Sequence, residues 1–196
     1  MSLVELIAQA DERALAASGL ACLDRCVPLL GGDDEVLRPL WTSLADPAAG
    51  ETWGECLERA RAKLPGLFEE PGEEAGEDQA VRLARAMLAT APADPVGAPL
   101  REWADACSVA ALRIHRLLEV MAPAGEVDGA GDIDSRREGR TEGMSPLVAA
   151  ELRRQITVLE LLAGTGSGGL RQVLAVSTEG RRVLRAVVSR RARGRS

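Results

Sequence analysis

Between Leu100 and Met121 the chain contains neither Gly nor Pro. Its apolar residues there fall at Leu100, Trp103, Cys107, Ala110, Ala111, Ile114, Leu117, Leu118 and Met121. Steps of three and four place them along one side of a helix with about 3.6 residues per turn. Arg101, Glu102, Asp105, Arg113, Arg116 and Glu119 fall mostly on the other side. So wide a stripe must be covered by other helices. The stretch therefore predicts a long central helix near 99–121. It also carries the chain's only His, His115.

Composition argues against a sheet. One Phe, three Trp and no Tyr leave little with which to build strands. Ala, Leu, Glu and Arg favour helices. With 46% apolar residues over 196 positions the chain is globular and long enough for one well-buried core. The expected fold is all-α, an irregular multi-helix bundle of about six to eight helices ending in a C-terminal helical hairpin over 145–192.

Local signals mark the other helices. Ser2 with Glu5 forms a capping box, followed by Leu3, Leu6, Ile7, Ala10, Ala14 and Ala17 as an inner face that Gly19 ends or weakens. Leu20, Leu23, Val27 and Leu30 renew the stripe, Pro28 would kink it, and Gly31-Gly32 stops it. Asp33 and Asp34 are cap candidates for a segment whose Val36, Leu37, Leu40, Trp41 and Leu44 face inward. Thr52 with Glu55 is a second capping box, and Pro65-Gly66 ends that helix. A further helix is expected over 78–90. Ser145-Pro146, a cap Ser before a first-turn Pro, is the strongest start signal in the chain. Ser177 and Gly180 are small residues inside the last helix's stripe, which permits close contact there.

The chain divides into a main helical body over 1–121, a flexible Gly- and charge-rich loop over 122–144, and the hairpin with its basic tail over 145–196, expected to form one domain with the body. Residues 66–78 read as a solvated acidic linker. The net charge of -6 hides an asymmetry: residues 1–135 carry -14 and residues 136–196 carry +8. The acidic body argues against nucleic acid as a partner, whereas the basic end can attract an acidic one. Of the 24 basic residues only Lys63 is Lys, which fits a GC-rich, bacterial coding genome. No apolar run reaches the roughly 18 residues of a membrane span. The N-terminus lacks the pattern of a signal peptide. The four Cys form no dense framework, so a cytoplasmic protein with reduced thiols is expected.

Several patterns suggest chemistry and do not carry it. Cys22-Leu23-Asp24-Arg25 resembles Cys56-Leu57-Glu58-Arg59 at an offset of 34, but the other positions of a tetratricopeptide repeat do not recur. Gly164 to Gly169 lacks the Lys and the preceding strand of a phosphate loop, and reads as a helix–helix turn. Cys22 and Cys26 lie one turn apart, yet no second ligand pair completes a zinc site. Glu151, Glu160 and Asp105 lean inward, but one His cannot supply a diiron bundle. His115 reads as an edge-of-core residue bonded to Glu119.

With one His, one Lys and no Tyr, the inventory for acid–base and nucleophilic catalysis is thin. No catalytic, cofactor or metal residues are assigned. The sequence points to a non-enzymatic module that binds a protein partner, with a homodimer as one form of it. Its candidate contact surface is Arg181, Arg182, Arg185, Arg190 and Arg191, within a basic end that also holds Arg193 and Arg195. The alternative is a ligand-responsive regulator with an apolar pocket lined by Trp41, Trp53, Trp103 and His115. An enzyme is the third and weakest reading.

Overall fold

Both capping boxes read from the sequence start helices. Ser2 Oγ accepts from Glu5 N while the Glu5 carboxylate accepts from Ser2 N, and Thr52 and Glu55 repeat the exchange. A computed structural model of the chain describes residues 1–33, 35–46, 48, 50–64, 77–119, 130–164 and 168–193. Among these residues the structure is helical and contains no strand. In order, the helices are α1 (Leu3–Gln9), α2 (Glu12–Cys26), a 3-10 turn (Val27–Leu29), α3 (Arg38–Ala45), α4 (Trp53–Lys63), α5 (Glu77–Ala89), α6 (Gly97–Leu118), α7 (Ala130–Arg137), α8 (Pro146–Gly164) and α9 (Gly169–Arg193).

The all-α bundle is the expected one, with nine α-helices among the described residues, and two details of it differ. The first predicted helix is broken at Ala10, whose backbone is extended, because Asp11 caps a new start by accepting from Ala14 N at 2.8 Å. Gly19 does not end α2. It lies inside it, where a Cβ would stand 2.5 Å from the Trp103 ring, so its missing side chain lets α2 and α6 close up. The second difference is α7, which occupies part of the stretch 122–144 read as a loop. Ile133 buries its side chain there, and Arg136 and Arg137 are also buried. The rest of that stretch up to residue 129, Asp34, the acidic run as far as residue 76, the middle of the Gly164–Gly169 turn and Arg195 lie outside the described residues.

The long helix α6 packs against α2, α5, α7 and α8, and α2 in turn against α3, α5, α8 and α9. The hairpin α8–α9 thus lies against the body, α8 on α1, α2 and α6, and α9 chiefly on α2. One continuous apolar cluster runs from Leu3 to Leu184. Nearly all of α2 from Ala14 to Cys26 is buried, with Ser18 alone half-buried.

Four arginines close the C-terminal ends of other helices, where the last carbonyls lack partners within the helix. Arg101 of α6 donates to Ile7 O at the end of α1, and Arg13 of α2 to Leu44 O at the end of α3. Arg61 of α4 reaches the Leu88 and Ala89 carbonyls at the end of α5 and Ala91 O just beyond it, and Arg191 of α9 donates to Leu117 O of α6 at 2.6 Å. A guanidinium with five donors in a planar fork suits this role better than an ammonium.

Candidate functional site

A helix buried on every side must neutralise whatever charge it carries. In the buried part of α2, from Ala14 onward, those charges are Asp24 and Arg25, adjacent and both enclosed. Arg25 meets Glu151 of α8 edge-on: Nε donates to Oε2 at 2.9 Å and Nη2 to Oε1 at 2.6 Å, with both side chains wholly buried. Burial disfavours the Glu151 carboxylate, yet the Arg25 guanidinium holds its pKa at about 2. Arg25 is correspondingly raised despite its burial. Asp24 pairs with Arg181 of α9 at 2.8 Å. The α2–α8–α9 junction is therefore fastened by charge within an apolar core.

From Glu151 a polar chain leads outward. Gln155 Nε2 donates to Glu151 Oε1 at 3.0 Å, and its own carbonyl accepts from Ser108 Oγ at 2.7 Å. Ser108 accepts in turn from Arg137 Nε at 3.2 Å, and Arg137 pairs with Asp105, whose side chain is half exposed. This chain ties α7 to α6 and α8. It explains a short helix that local sequence does not favour.

His115 lies on the other side of Glu151 and is fully enclosed. A backbone carbonyl only accepts, so the 2.7 Å contact with Ala111 O puts the ring proton on Nδ1. Nε2 then faces Glu151 Oε2 at 3.6 Å with no hydrogen bond. Burial lowers the His115 pKa, outweighing the pull of Glu151. The expected bond to Glu119 is not made. Glu119 approaches Leu147 N at the start of α8, at 3.5 Å, while the Ser145 hydroxyl expected to serve that end has no partner.

The other predicted residues divide. Trp53 and Trp103 meet edge to face, ring centroids 6.0 Å apart. Their indole N–H groups donate to Pro92 O and Met87 O. Trp41 is buried and its Nε1 has no partner, and His115 belongs to the ionic cluster. The structure thus brings two of the four proposed pocket residues into contact. Trp53 borders an open groove of about 370 Å³, with Arg13, Leu44, Thr52 and Pro95. Of the basic set, Arg181 and Arg191 are built into the fold. Arg182, Arg185 and Arg190 are exposed, as is Arg193, and the spacing of 182, 185/186, 189/190 and 193 makes one outer face of α9.

Burial pushes Cys22 up to about 12 and Cys26 and Cys107 well above the ordinary thiol range, so none is a thiolate at neutral pH. The four Cys are unpaired. A cavity beside Arg25, Ser108 and Gln155 has about 10 Å³, room for a single water. Among the described residues no His, Cys, Asp and Glu group has the arrangement of a metal site, and no helix is long and apolar enough to cross a membrane.

Sequence reasoning missed Arg25 and its ties to Glu151, Gln155 and Ser108. One signal was available: from Ala14 to Val27 only Ser18, Gly19, Asp24 and Arg25 are not apolar. A helix so apolar all round goes to the centre, and any charge in it needs a partner. Compared with known families, with curated proteins and with solved structures, the chain matches none.

Proposed function

We propose that this chain is a non-enzymatic helical interaction module that binds an acidic protein surface through the outer face of α9. The observation behind this reading is the division of labour along that helix. Arg181 and Arg191 face inward, onto Asp24 and Leu117 O, while Arg182, Arg185, Arg190 and Arg193 are exposed together on the outer face. No large apolar side chain accompanies them on that stretch, which argues against insertion into a lipid surface. No aromatic residue stands among them to stack on a base, and the charge of -14 over residues 1–135 repels a polyanion. An acidic protein partner fits what remains. A cytoplasmic setting is part of the proposal, since four unpaired buried thiols suit a reducing compartment.

The test compares the native chain with one carrying R182E, R185E, R190E and R193E as bait for quantitative partner capture. Circular dichroism checks that the variant folds. A partner set lost on charge reversal supports the reading, and an unchanged set overturns it. Light scattering on the same two proteins separates a second copy of this chain from a foreign partner. A ligand-responsive regulator is the second reading, favoured by the groove beside Trp53. Saturable quenching of Trp fluorescence by an apolar ligand would support it.

A further inference from the structure

Only residues 90–96 separate α5 from α6, so α6 returns alongside α5 in the opposite direction. Trp103 Nε1 of α6 bonds Met87 O of α5 at 2.8 Å and fixes the register. An open groove of about 350 Å³ runs between the two helices. Leu83, Met87, Cys107, Val109 and Ala110 line it, and Ala86 and Ala106 stand exposed along it. Its polar lining residues, Thr90 and Arg113, lie at opposite ends. A groove so open cannot enclose a small molecule on most sides, but it can take an opposing surface.

The ends of the groove differ in charge. Antiparallel packing brings Arg82 of α5 to the end that holds Arg113, and both are exposed. Glu102, exposed one turn before Ala106, lies at the other end. Among the described residues none of these three side chains has an ion pair or hydrogen bond. Their neighbours are engaged elsewhere, Arg101 at the end of α1 and Asp105 with Arg137. The outer row of α6 is therefore acidic at Glu102, apolar at Ala106 and Val109, and basic at Arg113. Such a row is complementary to itself. A two-fold axis through its middle lays it on its own copy in the opposite direction, acid against base at both ends. A foreign helix would need the same row reversed, and this chain already carries it.

We propose that the α5–α6 groove is the contact between two copies of the chain, with Glu102 of one protomer paired to the partner's Arg113 and Arg82. The small residues at the centre let the helices approach, and the end charges fix their direction. From residue 102 to residue 113 the row is about 16 Å long. That is small against the roughly 800 Å² that each partner buries in a standard interface, so a Kd on the order of 10–100 µM is expected. The inference is independent of the partner surface on α9, because no residue of it lies there.

Sedimentation of the full chain between roughly 1 µM and 1 mM brackets that Kd. The native chain should pass from monomer to dimer within the range. Glu102→Arg sets two pairs of arginines against each other across the axis, and Arg113→Glu sets two pairs of glutamates. Each variant alone should dimerise at least about tenfold more weakly. Mixed in equal amounts they regain opposite charges at both ends, and a heterodimer should form with close to the native Kd. Both positions are exposed and unpaired, so the fold does not depend on them. The variant with four reversed charges on α9 should dimerise like the native chain. A native chain that stays monomeric, a dimer that either variant leaves intact, a mixture no better than its parts, or a dimer lost with the α9 charges would each overturn the inference.

Discussion

Two seams hold α2, and they are built on opposite principles. Near its middle α2 meets α6 through Gly19 and the Trp103 ring, an apolar contact closed to van der Waals distance. About one and a half turns later it meets α8 and α9 through Arg25–Glu151 and Asp24–Arg181, charges sealed in the same core. The apolar seam is additive and forgiving, since a lost contact removes only its own area. The ionic seam is conditional: each partner is costly to bury and is stabilised only by the other. The lesson is that one helix can be made tolerant at one turn and exacting at the next.

The largest effect should come from splitting the ionic seam. Glu151→Ala leaves Arg25 buried without a counter-charge and should cost about 3–5 kcal/mol in urea unfolding. The double variant Arg25→Met, Glu151→Leu should recover most of that loss, and its failure to do so would mean that the pair contributes more than mutual neutralisation. Acid probes the same seam. Glu151 ordinarily titrates near 4.5 and is held at about 2 in the fold. Its contribution is therefore complete above 4.5 and disappears as the pH falls toward 2. A native and a Glu151→Gln protein should lose their difference in stability across that window.

The apolar seam should answer more mildly. Gly19→Ala pushes a methyl group into the Trp103 ring and should cost about 1–3 kcal/mol by overpacking. A Tm unchanged by that substitution would show that α2 and α6 slide apart at little cost. Mild acid comes next. The depressed His115 pKa means that the unfolded chain takes up a proton first as the pH drops through 6.5. Stability should then fall by at most about 1.4 kcal/mol per pH unit, and His115→Gln should flatten that slope. The smallest effect tests the helix start itself: Asp11→Ala removes the cap of α2 and should cost about 1 kcal/mol.

What could be read beforehand follows the same division. The apolar seam, the central helix and the inward Trp residues all come from periodicity, which is local. Both capping boxes were visible because their partners lie three residues apart. Arg25 and Glu151 are 126 positions apart, and nothing local joins them. The same is true of α7, whose Gly and charge read as loop until Ile133, Arg136 and Arg137 find the core. In the sequence the arginine content fits a GC-rich coding genome and nothing more, whereas Arg13, Arg61, Arg101 and Arg191 each finish another helix. Such roles depend on where a helix end happens to lie in space.

Gly180 and Arg25 occupy adjoining volume, since a Cβ on Gly180 would overlap Cδ of Arg25, and this constrains descent as well as stability. A lineage that enlarges position 180 has to shorten position 25 first, and in shortening it strands the acid at 151. Substitutions at these three sites should therefore arrive together in descendants of this chain, in a fixed order, with the glycine last to change.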